Sequence, residues 1–555
     1  MSKSRKNTFY GGAAILAVGS LLVKVIGAVY KIPLARILTD ESYVDFNTAY
    51  NIYNLFLTVS TAGLPVALSK TISEANALDR QNQVQKIFSV AFKTFLTLGI
   101  ISFIAMSVFG DSLAVLLGDE SAVYCVRCLA PSVLCVCIMA AIRGYYQGHS
   151  YMVPTAVSQI IEAFCKMVFG LALLFAVLRF LPGSEVYKNR MAAAGAITGV
   201  SIGSVIALIY LAILFLRDRR DRKKTQYTDR PDAGSDILSH LLRLAIPITL
   251  GSAAVSIVTL IDTRVVLSLL TKMYTDLPEL VTPAAIAQQF QPGGVSPELF
   301  MAQGLKGVYD KCMAIYNLPS QLMVAVTASV IPAVSAALAR RDRTGAGRIS
   351  ESALRIGALL CLPMGFGLFA LGGPITQLVL NLDPTISGPI MSTLGLATIF
   401  ICIMLICNSI LQAHGRVGLP VLTVIVGGVI KLIVNYILVG NYDINIKGAP
   451  WGTLCCFLVS SLMDLYFVRK VAGHDLSFGR IFLKPLLASV LMGGAAWAVH
   501  GFLTGILGNS LATVAGILTG VVVYAILILL LKAISPDDLA LMPKGDKIAK
   551  ALHIR

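Results

Sequence analysis

The chain has 555 residues, 56% of them hydrophobic and 13% charged. That is far more apolar material than a water-soluble core of this size needs, and a lipid bilayer is the solvent that accommodates it. Lys and Arg outnumber Asp and Glu by 45 to 29, but the positive residues gather in short segments between apolar runs. This argues for membrane topology and anionic lipid, and against nucleic acid as a partner.

A helix crosses the hydrocarbon core in about 20 residues. The polar stretches between apolar runs then predict an all-α integral membrane protein with fourteen spans near 9–38, 46–70, 86–109, 122–147, 154–179, 191–216, 238–269, 307–338, 349–372, 387–412, 419–440, 448–469, 480–502 and 508–532. Lys3, Arg5 and Lys6 precede an apolar run that continues as a full span, so no cleavable signal is read there. With the N-terminus in the cytoplasm, the inside loops contain Arg80 and Lys86, Arg217 through Lys224, Arg340, Arg341, Arg343 and Arg348, and Arg469, Lys470, Arg480 and Lys484. The tail adds Lys544, Lys547 and Lys550. The opposite loops hold Asp40, Glu41 and Asp45, Asp111, Asp119 and Glu120, and Asp276, Glu279 and Glu298, with Lys188 and Arg190 as exceptions. By the positive-inside rule both termini are cytoplasmic. Most of the eleven cysteines, among them Cys135, Cys165, Cys361 and Cys402, sit inside apolar runs and read as small core residues. Cys125 and Cys128 have redox spacing without a thioredoxin-like context.

The sequence repeats itself weakly. Ile52-Tyr53-Asn54-Leu55 recurs as Ile315-Tyr316-Asn317-Leu318, and Pro65 and Ser69 are echoed by Pro332 and Ser335. Gln147, His149 and Lys166 recur as Gln412, His414 and Lys431, and Gly195-Ala196-x-x-Gly199 recurs as Gly448-Ala449-x-x-Gly452. Six spans per half put the halves in the same orientation, as parallel repeats about an axis along the membrane normal. The expected organisation is a six-helix lobe over 1–216, a basic cytoplasmic linker over 217–237, a second six-helix lobe over 238–472, and two further helices with a basic tail over 473–555. Such a pair of lobes suits alternating access about a central site.

Particular segments carry a family resemblance: Lys24-Val25-Ile26-Gly27, Leu34-Ala35-Arg36-Ile37-Leu38, Ala49-Tyr50-Asn51-Ile52-Tyr53-Asn54-Leu55, and Arg143-Gly144-Tyr145-Tyr146-Gln147-Gly148 with Pro154-Thr155-Ala156. Over nearly its whole length the chain resembles the polysaccharide-exporter branch of the multidrug/oligosaccharidyl-lipid/polysaccharide (MOP) flippase superfamily, and within it the stage V sporulation protein B and lipid II flippase families. The resemblance implies a transporter rather than an enzyme. Its cargo would be an undecaprenyl-pyrophosphate-linked saccharide, lipid II or a related cell-wall precursor, whose tail stays among membrane lipids while the headgroup crosses. It further implies a monomer that works beside cell-wall synthesis proteins. No cofactor is implied, and coupling would be to the membrane potential or an ion gradient. A diphosphate headgroup needs cations once water is removed, and Lys or Arg supplies them through charge-assisted hydrogen bonds.

Ionisable groups inside spans each cost about 2.5–3.5 kcal/mol at a helix centre, so each needs a reason. Lys24 matches a cavity arginine of the lipid II flippase pattern and shares a helical face with Lys31. Lys31 and Arg36 either join it or snorkel to the interface. Where flippases of Gram-negative type carry further arginines, this chain has Tyr30 and, on the second span, Leu57 or Thr58, which implies a less basic site or cations drawn from other helices. Lys311 either lines the site or pairs with Asp310. Tyr53 and Asn54, with Tyr50 and Asn51, and Tyr316 and Asn317 in the second half, either hold sugar or bond between helices. Glu162 and Lys166, one helical turn apart, are expected to neutralise each other. Asp262, Asn435 and Thr453 resemble the remains of a sodium site, with Lys431 expected to pair with Asp262 as a tethered cation. No metal is expected to bind.

Three other functions remain open on sequence: a cation-coupled drug antiporter, which favours an acidic and aromatic site; a membrane-embedded glycosyltransferase or ligase, which needs converging acid/base groups that the longest loop, near 271–306, does not offer; and a scaffold without transport. No phosphate loop or nucleotide fingerprint is present.

Overall fold

The computed structural model describes residues 3–222, 229–292, 294–472, 477–531 and 533, excluding the side chains of 3–18, 219–222, 325, 328, 329, 332 and 480. Lys3, Arg5, Lys6, the basic run from Arg219 to Lys224, Pro332, Arg480, Lys544, Lys547 and Lys550 of the topology and repeat readings therefore lie outside the described residues. The described residues contain sixteen α-helices and no strand: α1 (Lys3–Ile37), α2 (Asp40–Thr61), α3 (Leu64–Ala77), α4 (Gln81–Val108), α5 (Gly110–Leu116), α6 (Val123–Gly148), α7 (Val153–Phe180), α8 (Glu185–Arg222), α9 (Gly234–Asp276), α10 (Pro283–Gln288), α11 (Pro297–Ala339), α12 (Arg343–Leu380), α13 (Pro384–Ala413), α14 (Gly418–Val439), α15 (Ala449–Val471) and α16 (Phe478–Leu530). The chain is a multi-pass membrane protein. Among the described residues eleven stretches are long and apolar enough to cross a bilayer; twelve of the expected spans lie along them, and the first and eighth lie along α1 and α11, which are not among the eleven. The second expected span is split into α2 and α3 around Gly63, where the chain lies against the Ala245 carbonyl of α9 too closely for any side chain. The last two expected spans are joined in α16 by Gly508, whose φ of 73° and ψ of 167° belong to glycine alone. Beyond that turn Gly516 and Gly520 return alongside Ala496, making an antiparallel hairpin.

The chain forms two compact units, Met1–Gly307 and Val308–Arg555. Their boundary differs from the one expected at the linker, since α9 packs on α2, α3 and α4 and so belongs to the first unit, as does the beginning of α11.

Each unit, taken by itself, shows the repeat as a packing pattern. In the first, α6 is the interior helix, with 67% of its most apolar window buried, and α7 is peripheral at 11%; in the second, the counterparts α13 and α14 stand at 72% and 22%. The recurring glycine motif explains one close helix pair in each unit. Gly199 of α8 rests on the Gly170 backbone of α7, and Gly452 of α15 rests on Asn435 and the Lys431 carbonyl of α14. Helices in lipid gain little from hiding apolar surface, so they associate where small residues let backbones touch. α16 packs on α12, outside the repeated core. All eleven cysteines are free thiols, as their apolar settings led us to expect.

Candidate functional site

Tyr50 of α2 is the centre of the first unit's polar interior. Lys166 of α7 donates a hydrogen bond from Nζ to Tyr50 Oη at 3.0 Å and lies 4.9 Å from the centroid of the same ring. It also lies 5.4 Å from the Tyr30 ring of α1, and Lys31 lies 5.8 Å from the Tyr50 centroid. Tyr30 is fully buried and donates to the Ala196 carbonyl of α8 at 2.9 Å, which fixes its ring as a platform. Two ammonium groups thus converge on one phenol. Each gains a cation–π contact, and neither has a carboxylate within ion-pairing distance among the described residues.

The carboxylate expected to neutralise Lys166 is engaged elsewhere. Glu162 pairs with Arg143 of α6, Nη2 to Oε2 at 2.9 Å, and Arg143 Nε donates to Ser158 at 3.0 Å. The expected Glu162 to Lys166 pair is therefore corrected. Helical spacing puts both on one face, but the planar guanidinium reaches the carboxylate from α6 with a second donor left for Ser158, which an ammonium on the same helix does not match. From Glu162 a chain of hydroxyls continues through Ser204 (3.4 Å) and Ser132 (2.9 Å) to Tyr53 (3.4 Å).

The other expected site residues are dispersed. Lys24 is half-buried on α1 and has no hydrogen bond or ion pair among the described residues, while Arg36 is exposed. Tyr53 is buried and is held by Ser132 rather than open to a sugar; Asn54 is half-buried. Asn51 donates to Thr263 of α9 at 3.2 Å, the helix-bonding alternative. In the second unit, Tyr316 is buried against Phe457 with its hydroxyl unpartnered among the described residues, and Asn317 bonds the Met313 carbonyl of its own helix at 2.7 Å. Lys311 and Asn435 are buried, and Thr453 shares a 2.9 Å hydrogen bond with Tyr309. Asp262 is buried on α9 of the first unit, and Lys431 belongs to α14 of the second.

Sequence reasoning missed a second polar knot, at the end of the first unit where α2, α6 and α8 begin. Asp45, Asp119, Arg190 and Gln303 are all buried. Arg190 meets Asp45 at 3.5 Å and Gln303 Oε1 at 3.2 Å. Gln303 Nε2 donates to Asp119 at 2.7 Å and to Ser121 at 2.8 Å, and Ser121 donates to Asp45 at 2.6 Å. Arg190 thus departs from the loop-charge rule because it is an interior pairing residue. The signal that would have found it was that very exception. A cavity of roughly 440 Å³ lined by Phe88, Phe92, Tyr145 and Phe215 also opens in this unit, and it shares no lining residue with the Tyr50 cluster.

The profile of the family described as "Polysaccharide biosynthesis protein" matches residues 9–339, more than half of the chain. The chain belongs to this family. A second profile, MatE, matches residues 307–437. Three Bacillus subtilis proteins are each 24% identical to the chain: the uncharacterized membrane protein YabM (99% of this chain, 98% of the relative), the lipid II flippase MurJ (88% of each) and stage V sporulation protein B (97% and 98%). The fold is likewise that of solved MOP-superfamily transporters. A lipid II flippase MurJ in an inward closed conformation superposes with a TM-score of 0.65 at 16% identity, covering 93% of this chain and 98% of that one. A multidrug resistance MATE transporter in its inward-facing conformation gives 0.62 at 15%, covering 83% and 98%. The chain is accordingly a member of the polysaccharide biosynthesis family with the fold of these solved transporters, as the sequence resemblance implied.

Proposed function

We propose that the protein moves an undecaprenyl-pyrophosphate-linked saccharide, lipid II or a related wall precursor, from the inner to the outer leaflet of a bacterial cytoplasmic membrane by alternating access, with both termini in the cytoplasm. The observation that carries this reading is the pair of ammonium groups, Lys31 and Lys166, gathered on Tyr50 without a carboxylate partner among the described residues. An arrangement that concentrates positive charge in a low-dielectric setting lacks an anion, and a diphosphate satisfies both ammoniums at once. Lys166 arrives from α7 over the ring of Tyr30, so the cation that α1 does not carry at Tyr30 is supplied by another helix. The names of the flippase relatives support the same cargo class.

The second reading, a cation-coupled drug antiporter, is favoured by the likeness to MATE transporters. A cationic drug would meet two ammoniums at Tyr50, while the nearby carboxylate, Glu162, is occupied by Arg143. Energy would come from the membrane potential or an ion gradient. The test is the amount of outer-leaflet lipid II in bacteria depleted of their own flippases and expressing this chain, read by cleavage with an external lipid II hydrolase. Restored cleavage that is lost in Lys31→Ala and Lys24→Ala at equal expression supports the proposal. Failure of the well-expressed protein to restore any cleavage removes lipid II as its cargo.

A further inference from the structure

The repeat makes one corner of the protein a control for another. His149 ends α6 and His414 ends α13, and each donates from Nδ1 to the carbonyl one turn back, of Tyr145 or Ile410, at 2.9 Å. In the first unit aromatic rings occupy this corner and border the apolar cavity of roughly 440 Å³ described above. His149 packs at a tilt against Tyr145 with centroids 4.4 Å apart, Tyr145 packs edge-on to Phe215, and Tyr146 donates to the Asp218 carboxylate at 2.8 Å. In the second unit the same corner is an open pocket of roughly 610 Å³.

The chemistry of that pocket is one-sided. Arg343 from the start of α12, Arg416 from the turn before α14, Lys470 from the last turn of α15 and His414 line it, and among the described residues no acidic one does. None of the three permanent cations has an ion pair among the described residues. The adjacent acid, Asp342, is not among the lining residues, and its carboxylate accepts from Gly345 N at 2.8 Å and from Thr344 at 3.0 Å. Leu338, Leu419 and Phe467 supply an apolar wall. All the contributing residues lie at helix ends, where α11, α13 and α15 finish and α12 and α14 begin, the depth of lipid headgroups rather than of the hydrocarbon core.

We propose that this pocket of the second unit is a binding site for an acidic phospholipid, with the phosphate held by Arg343, Arg416 and Lys470 and an acyl chain lying along Leu338, Leu419 and Phe467. A ring of cations against an apolar wall at interfacial depth matches a molecule with an anionic head and a hydrocarbon tail. A zwitterionic lipid brings its own cation and gains less there. The site is separate from the Tyr50 cluster and does not depend on which cargo the transporter carries.

The full-length protein in neutral detergent is titrated with phosphatidylglycerol and, separately, phosphatidylcholine, and bound lipid is counted by native mass spectrometry. The wild type is expected to retain phosphatidylglycerol selectively. The double variant Arg416→Gln/Lys470→Gln should weaken it by roughly 25-fold, at about fivefold for each of two cations near a membrane surface, whereas Arg416→Lys/Lys470→Arg keeps it. Arg343→Gln in the same titration gives an independent reading should the double variant fail to fold. Equal retention of the two lipids by the wild type would overturn the proposal, as would neutralised variants that bind phosphatidylglycerol like the wild type. Displacement of the lipid by equimolar inorganic phosphate would also overturn it, by marking a soluble-anion site.

Discussion

Replacing Lys166 by methionine removes one charge from the Tyr50 cluster while keeping a side chain of similar length. In the structure that ammonium makes one hydrogen bond, 3.0 Å to Tyr50 Oη, and two ring contacts. A charge-assisted hydrogen bond to a diphosphate is worth about 1.5–3 kcal/mol, so binding of a lipid diphosphate should weaken by roughly 10- to 150-fold. Folding responds differently. Losing two desolvated cation–π contacts costs about 2 kcal/mol each, and this is largely offset by no longer holding an ammonium inside a span, a burden of about 2.5–3.5 kcal/mol on insertion scales. Lys166→Met should therefore lose transport without losing thermal stability, and Lys166→Arg should recover part of the transport. The assay is flipping of a lipid-linked saccharide in reconstituted vesicles, paired with the thermal midpoint of the same preparation. Transport at the wild-type rate in Lys166→Met, or a loss that tracks a fall in the midpoint, would refute the reasoning.

A double-mutant cycle tests the reassigned ion pair: Arg143→Met and Glu162→Gln should couple by about 1–3 kcal/mol in unfolding measurements, whereas Glu162→Gln and Lys166→Met should be nearly additive. Arg190→Met leaves Asp45 and Asp119 buried without their guanidinium, so it should destabilise the protein by about 3–5 kcal/mol; adding Asp45→Asn should restore part of that, and an unchanged thermal midpoint in the single variant would contradict the buried pairing. Gly508→Ala introduces a methyl group into open space, so any loss comes from the backbone alone. About 1–3 kcal/mol is expected for a conformation of this kind, seen as a lowered midpoint with an unchanged outer-leaflet assay.

The sequence by itself determined the class of this protein, because hydropathy is a property of composition along the chain and a bilayer accepts only helices whose backbone bonds are internal. It also determined the repeat, and the repeated Gly195 and Gly448 motifs proved to be the places where α8 meets α7 and α15 meets α14. Sequence spacing did not determine the partners of the buried charges. Glu162 and Lys166 are neighbours on one helix face, yet Glu162 belongs to Arg143, and Lys166 belongs to the rings of α1 and α2. Asp45, Asp119, Arg190 and Gln303 come from four separate segments, and only packing brings them together. Interaction energy between charges depends on distance and on the surrounding dielectric. Tertiary structure sets both, so it alone decided which cations are neutralised within the protein and which are left for an anion.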